Sequence, residues 1–171
     1  FGTATQRADG TFDVTYSVIV GNTGGAPGTY TLKDTPQFDT DVVILGGSYS
    51  GQAAGVLGTV LGSPTTLGTN VIIGAGATQV YNLTYNVRLQ LEPNSNDPGN
   101  NTYTTCAVSG NGPGSGPGQG LYNKAELDRT GDGITDITDD ACGDIPNVIM
   151  RKDFGTATQR ADGTFDVTYS V

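Results

Sequence analysis

An antiparallel all-β sandwich, repeated in tandem, is the fold class this chain predicts, and three observations predict it. Apolar and polar residues alternate over long runs. Clusters of glycine, proline and asparagine interrupt those runs at short intervals. Finally, the segment FGTATQRADGTFDVTYSV occurs twice, as Phe1–Val18 and as Phe154–Val171. The offset, 154 − 1 = 153, makes the chain one repeat unit plus the opening of the next. A unit of that length is a normal single domain with a sizeable core. Large near-identical modules in series describe a stalk, fibre or filament.

The elements follow in order. From Thr11 to Val20, Phe12, Val14, Tyr16, Val18 and Val20 face one way and Thr11, Asp13, Thr15, Ser17 and Ile19 the other, a half-buried strand. Gly21-Asn22-Thr23-Gly24-Gly25 breaks it with residues that tolerate positive φ. Strands are expected at 29–35 and 41–45, the latter running into Gly46-Gly47, and a short one at 70–73. Residues 48–68 are small and weakly patterned, which fits short edge strands or long loops. The longest strand is expected at 77–90, with Tyr81, Leu83, Tyr85, Val87 and Leu89 on one face. Further strands are expected at 102–108, 121–127 and 147–152, and loops at 92–101 and 110–120. No segment carries a helical period. The module boundary is expected near Gly143-Asp144-Ile145-Pro146, with 1–144 most of one module and 145–171 the junction and first strands of the next.

Composition narrows the function classes. The 171 residues include 27 Gly and 8 Pro, 35% hydrophobic and 15% charged residues, which is too apolar for disorder and too turn-rich for helices. A net charge of −9 repels phosphate backbones, so nucleic acid is not an expected partner. No apolar run is long enough to span a bilayer, so membrane insertion is not expected. No leader is visible, and Phe1 reads as lying mid-module. The two cysteines, Cys106 and Cys142, in an acidic β-type chain point to an oxidised, exported setting and a bridge between them.

A pattern of motifs runs through the unit. Pro146-Asn147-Val148-Ile149-Met150-Arg151-Lys152-Asp153 leads into Ala161-Asp162-Gly163-Thr164-Phe165, and the first copy continues through Val18-Ile19-Val20-Gly21-Asn22-Thr23-Gly24 to Asp34-Thr35-Pro36. Tyr81-Asn82-Leu83-Thr84-Tyr85 and Tyr122-Asn123-Lys124-Ala125 follow. Taken together they resemble the Ig-like conserved-repeat domain of bacterial cell-surface proteins, the eleventh of the domain-of-unknown-function families. The "A-D-G-T" run and the "D-D-A-C" ending are similar to actinobacterial surface repeats. The resemblance implies an exported, tandem, non-enzymatic Ig-like β-sandwich at the cell surface or outside the cell.

Two sites are candidates for chemistry. Asp128, Thr130, Asp132, Ile134, Asp136 and Asp139 follow the spacing of a calcium loop, with Gly133 at the sharp turn and Ile134 offering a carbonyl. Calcium is the one expected cofactor. The alternative is a solvated turn whose aspartates cap backbone amides. Separately, Ig-like surface domains of Gram-positive bacteria sometimes join a first-strand Lys to a last-strand Asn beside a buried acid. Lys152, Asn123 and Asp34 stand in that order, Lys152 belonging to the next module.

Catalytic residues are not expected. There is no histidine, the commonest general base. Asp34, Asp39 and Asp41 sit around one turn, and 114–120 lacks the Lys-Ser/Thr ending of a phosphate loop. The chain therefore reads as a structural module giving length and mechanical and proteolytic stability, the alternative being a glycan- or surface-binding adhesin module. Its expected partners are identical neighbouring modules or subunits, including by strand addition.

Overall fold

The computed structural model describes residues 1–90, 106, 116–146 and 150–171, and its fold is an all-β antiparallel sandwich. The strands are β1 (Ala4–Gln6), β2 (Phe12–Gly21), β3 (Gly28–Pro36), β4 (Val42–Gly51), β5 (Gly55–Val56), β6 (Thr65–Ile73), β7 (Thr78–Leu89), β8 (Asn123–Asp128), β9 (Ile137–Ala141), β10 (Asp153–Gln159) and β11 (Phe165–Ser170). One sheet has the order β1-β2-β7-β4-β5 and a second the order β6-β3-β8-β9. β10 and β11 form a two-stranded sheet of their own.

Period-two patterning sets the core. β2 and β7 pair over their full overlap, from Phe12 opposite Val87 to Gly21 opposite Thr78. Phe12, Val14, Tyr16, Tyr81, Leu83, Tyr85 and Val87 all point inward and are buried. They meet Tyr30 and Leu32 of β3 and Leu67 of β6 in one core cluster. At about 25 cal/mol per Å² of apolar area, large side chains like these dominate the stability of the sandwich. β4 carries a bulge between Ile44 and Gly46. Beyond it a Cβ at Gly47 would lie 2.9 Å from the Thr84 carbonyl oxygen and 3.1 Å from Leu57, so the close approach of Leu57 requires glycine.

Several sequence expectations change. β1 and β9 are strands that the pattern misses, because β1 has three residues and β9 presents Thr138, Asp139 and Asp140 on an exposed edge. β6 starts at Thr65 and is longer than the expected 70–73. Leu121 and Tyr122 form a turn ahead of β8, although both are buried. Of the strand expected at 147–152, residues 150–152 are not strand and 147–149 lie outside the described residues, as does the strand expected at 102–108 apart from Cys106. The core reaches Ile145, which is 1% exposed, inside the 143–146 stretch where the boundary is expected.

The duplicated segment folds the same way twice. Ala4 opposes Val14 and Gln6 opposes Phe12 in β1–β2; Ala157 opposes Val167 and Gln159 opposes Phe165 in β10–β11. In each turn an aspartate, Asp9 or Asp162, accepts from both the backbone N–H and the hydroxyl of a threonine two residues on. Gly10 and Gly163 take φ of 84° and 85° there. Arg7–Asp13 and Arg160–Asp166 ion pairs close both hairpins. Only the surroundings differ. Phe12, Val14 and Tyr16 are 5%, 0% and 4% exposed, while Phe165, Val167 and Tyr169 are 60%, 46% and 56% exposed.

Candidate functional site

The chemistry of the chain gathers beneath β2, where a carboxyl and a carboxamide are buried side by side. Asp34 lies on the inward face of β3 and is 1% exposed; Asn123 opens β8 opposite Pro36 and is 4% exposed. Tyr85 of β7 donates its hydroxyl to Asp34 Oδ2 at 2.5 Å, and Asn123 Nδ2 donates to the same oxygen at 3.3 Å. Asn123 Oδ1 is buried without a hydrogen-bond partner. An unsatisfied buried acceptor is costly, by roughly 1–3 kcal/mol, and asks for a donor.

Aromatic rings build the floor of the site. Phe38 stacks near Tyr16 at 6.3 Å between centroids and meets Tyr85 edge-on at 5.4 Å. The Tyr16 hydroxyl donates to the Leu121 carbonyl. Beside this trio lies a cavity of about 50 Å³ between β2 and the edge strand β9, bounded by Tyr16, Val18, Asp34, Asn123, Asp139 and Asp140. Next to it a groove of about 190 Å³ runs between Ile19 and Val20 of β2 and Leu127 and Ile137 of the other sheet.

Burial raises the Asp34 pKa to about 6, against the lowering effect of the bonds from Tyr85 and Asn123. Burial and the nearby Asp34 charge likewise push the Tyr85 and Tyr16 phenols up, so both stay neutral donors. The folded pKa of Asp34 exceeds the ordinary 3.8, so its contribution is full below pH 3.8 and is lost as pH rises through about 6. Tyr16, Tyr85, Asp139 and Asp140 are the titratable groups around it. Asp34→Asn keeps an acceptor for Tyr85 and removes the buried charge. It is expected to raise stability at pH 8 by about 1–3 kcal/mol and to change little at pH 4, as checked by urea unfolding at both pH values.

The candidate calcium loop is arranged as a series of turns. Asp128 Oδ1 accepts from the Thr130 and Gly131 N–H groups and Oδ2 from Gly133 N–H. Those bonds, the one from Gly131 first, hold its carboxyl below the ordinary range. Asp132 caps Ile134 N–H, Asp136 accepts from Arg129 N–H, and Asp139 accepts from Asp140 N–H beside the cavity. Among the described residues no three His, Cys, Asp or Glu side chains gather closely enough to hold a metal ion. Asp128→Ala is expected to lower the melting midpoint, since it removes the acceptor of three backbone N–H groups. A wild-type midpoint that rises with calcium, and does so only with Asp128 in place, would assign the loop to the cation.

The other sequence-predicted residues are placed as follows. Cys106 and Cys142 form a disulfide with their Cα atoms 5.7 Å apart, packed with Tyr122 in a second small cluster. Asp39 is buried in the turn before β4 and accepts from Asp41 N–H. Asp34 and Asn123 come together, but Asn123 is in the penultimate strand of its unit, with β9 after it. Lys152 stands just ahead of β10, its Nζ 4.3 Å from the centroid of the Tyr169 ring. Tyr16 and Tyr85 join the site although their alternation marks them only as core, and no motif around them signals more. No helix among the described residues is long and apolar enough to cross a membrane. In comparisons with known proteins, no family model, no curated protein and no solved structure matches the chain.

Proposed function

We propose that the chain is a structural repeat module of an exported bacterial surface protein or extracellular filament, giving length and resistance to force and proteolysis. The observation that carries this reading is the duplicated hairpin, which keeps one register and one turn in both places while its apolar face is buried only in the first. Such a hairpin is the opening of a further sandwich, and units joined this way extend a chain by repetition.

Strand order supports an Ig-like module. β1-β2-β7-β4 facing β3-β8-β9 has the sequence and neighbours of the A-B-E-D and C-F-G sheets of an immunoglobulin constant-type domain. β5 and β6 are then an insertion between the fourth and fifth strands, which is the weakly patterned stretch. The disulfide fits an oxidising compartment, and cell-surface or extracellular placement is part of the proposal. Electron microscopy of the native material tests it. Threads with one bead per 153-residue unit are expected; a solitary globule that turns over a substrate overturns the reading.

A further inference from the structure

We propose that the trailing hairpin of one molecule, led by Met150–Lys152, takes the place of Phe1–Val18 in a second copy of the chain, where Lys152 and Asn123 condense into an isopeptide bond. This rests on the repeat-module reading and names its joint. Identity of sequence licenses the placement: β10–β11 has the residues and register of β1–β2, so any surface that accepts one accepts the other. Phe154 meets Tyr169 edge-on at 76°, as Phe1 meets Tyr16 at 76°.

The placement brings the lysine to the site. Phe154 opposes Tyr169 and Asp153 opposes Ser170, so the register carried one step further sets Lys152 across from Val171. Tyr169 and Val171 correspond to Tyr16 and Val18, and both of those line the cavity that holds Asp34 and Asn123. Lys152 already lies against the Tyr169 ring. Transferred, Tyr169 occupies the place of Tyr16 and Lys152 stays against its ring, with Asp139 and Asp140 of β9 to draw the cation in. Two residues further back, Met150, 83% exposed, falls opposite Val20 at the apolar groove. Lys152 also supplies the donor that Asn123 Oδ1 lacks.

The step balances without a co-reactant. Nζ of Lys152 attacks Cγ of Asn123, the new C–N bond forms, and the bond from Cγ to the side-chain amide nitrogen breaks. Nζ gives up two protons, one before the attack and one after it, and Asp34 relays both to the departing nitrogen. Lysine enters as ammonium and an ammonium ion leaves, so atoms and charge are conserved. Hairpin contacts are the same before and after the exchange; the amide makes it one-way.

The test refolds the full chain from denaturant over a range of protein concentrations, followed by reducing denaturing gels and intact mass. Expected are bands at multiples of the chain, growing with concentration, each lighter by one ammonia per junction, and a proteolytic peptide joining Lys152 to Asn123. Lys152→Arg keeps the charge but not the nucleophile, and is expected to fold equally well and form no multiples. Asp34→Asn is expected to fold and to abolish them. Chains of unmodified mass at every concentration, multiples that persist in Lys152→Arg, or an ammonia loss confined to single chains would each overturn the proposal. Beaded threads in native material with no ammonia deficit would overturn the bond and leave the module reading standing.

Discussion

Phe12→Ala is expected to destabilise the sandwich by about 3–5 kcal/mol, whereas Phe165→Ala, the same residue of the same repeat, is expected to cost less than about 0.5 kcal/mol. Phe12 is 5% exposed inside the core and opposes Val87 across the sheet; truncation leaves a cavity lined by β7 that the rigid β2–β7 ladder cannot close. Phe165 is 60% exposed, so nothing collapses around its loss. Urea unfolding of dilute protein reads both values. Equal costs would mean that the trailing hairpin is packed as tightly as the leading one, which contradicts its exposure. The pair of variants isolates tertiary context, since local sequence, turn and register are held constant.

Removing the disulfide through Cys106→Ser with Cys142→Ser is expected to cost about 3–4 kcal/mol. The bridge spans a sequence separation of 36 and anchors residue 106 against the turn that leads into β8. Cys106 N–H donates to Asp144 Oδ1 at 2.8 Å, and Leu121 N–H donates to the Gly143 carbonyl at 2.8 Å, so the bridge also fastens the segment that ends in Ile145. A Cβ at Gly120, where φ is +46°, would run into Cys106, which keeps that turn glycine. Denaturant midpoints for the wild type, with and without reductant, and for the double variant check the figure. A loss under about 1 kcal/mol would show that the segment is held by packing alone.

Legibility in the sequence followed the physics of each element. β2 and β7 declare themselves because one face is buried and the other wet, so alternation is written residue by residue from Phe12 to Val20 and from Tyr81 to Leu89. β9 does not, since an edge strand with Thr138, Asp139 and Asp140 need bury almost nothing and resembles a loop. Asp34 and Asn123 could be named from motif order, but their contact depends on β3 and β8 lying side by side, a pairing of residues 89 apart that no local pattern encodes. Tyr85 is harder still: its hydroxyl serves Asp34, yet its spacing is that of any inward aromatic. The candidate calcium loop was legible only as a spacing: the bonds that shape it, from the Thr130, Gly131 and Gly133 N–H groups to Asp128, depend on turns that the glycines permit.

Among the described residues Ile145 is the last side chain anchored in the first body, and Asp153 opens the trailing hairpin. The tether between them is 153 − 145 = 8 peptide steps, which fully stretched reach no more than about 28 Å. Whatever body takes up the hairpin must therefore lie within that reach of the one that delivers it. In any string assembled through this hairpin, that stretch of backbone sets the widest gap a joint can open.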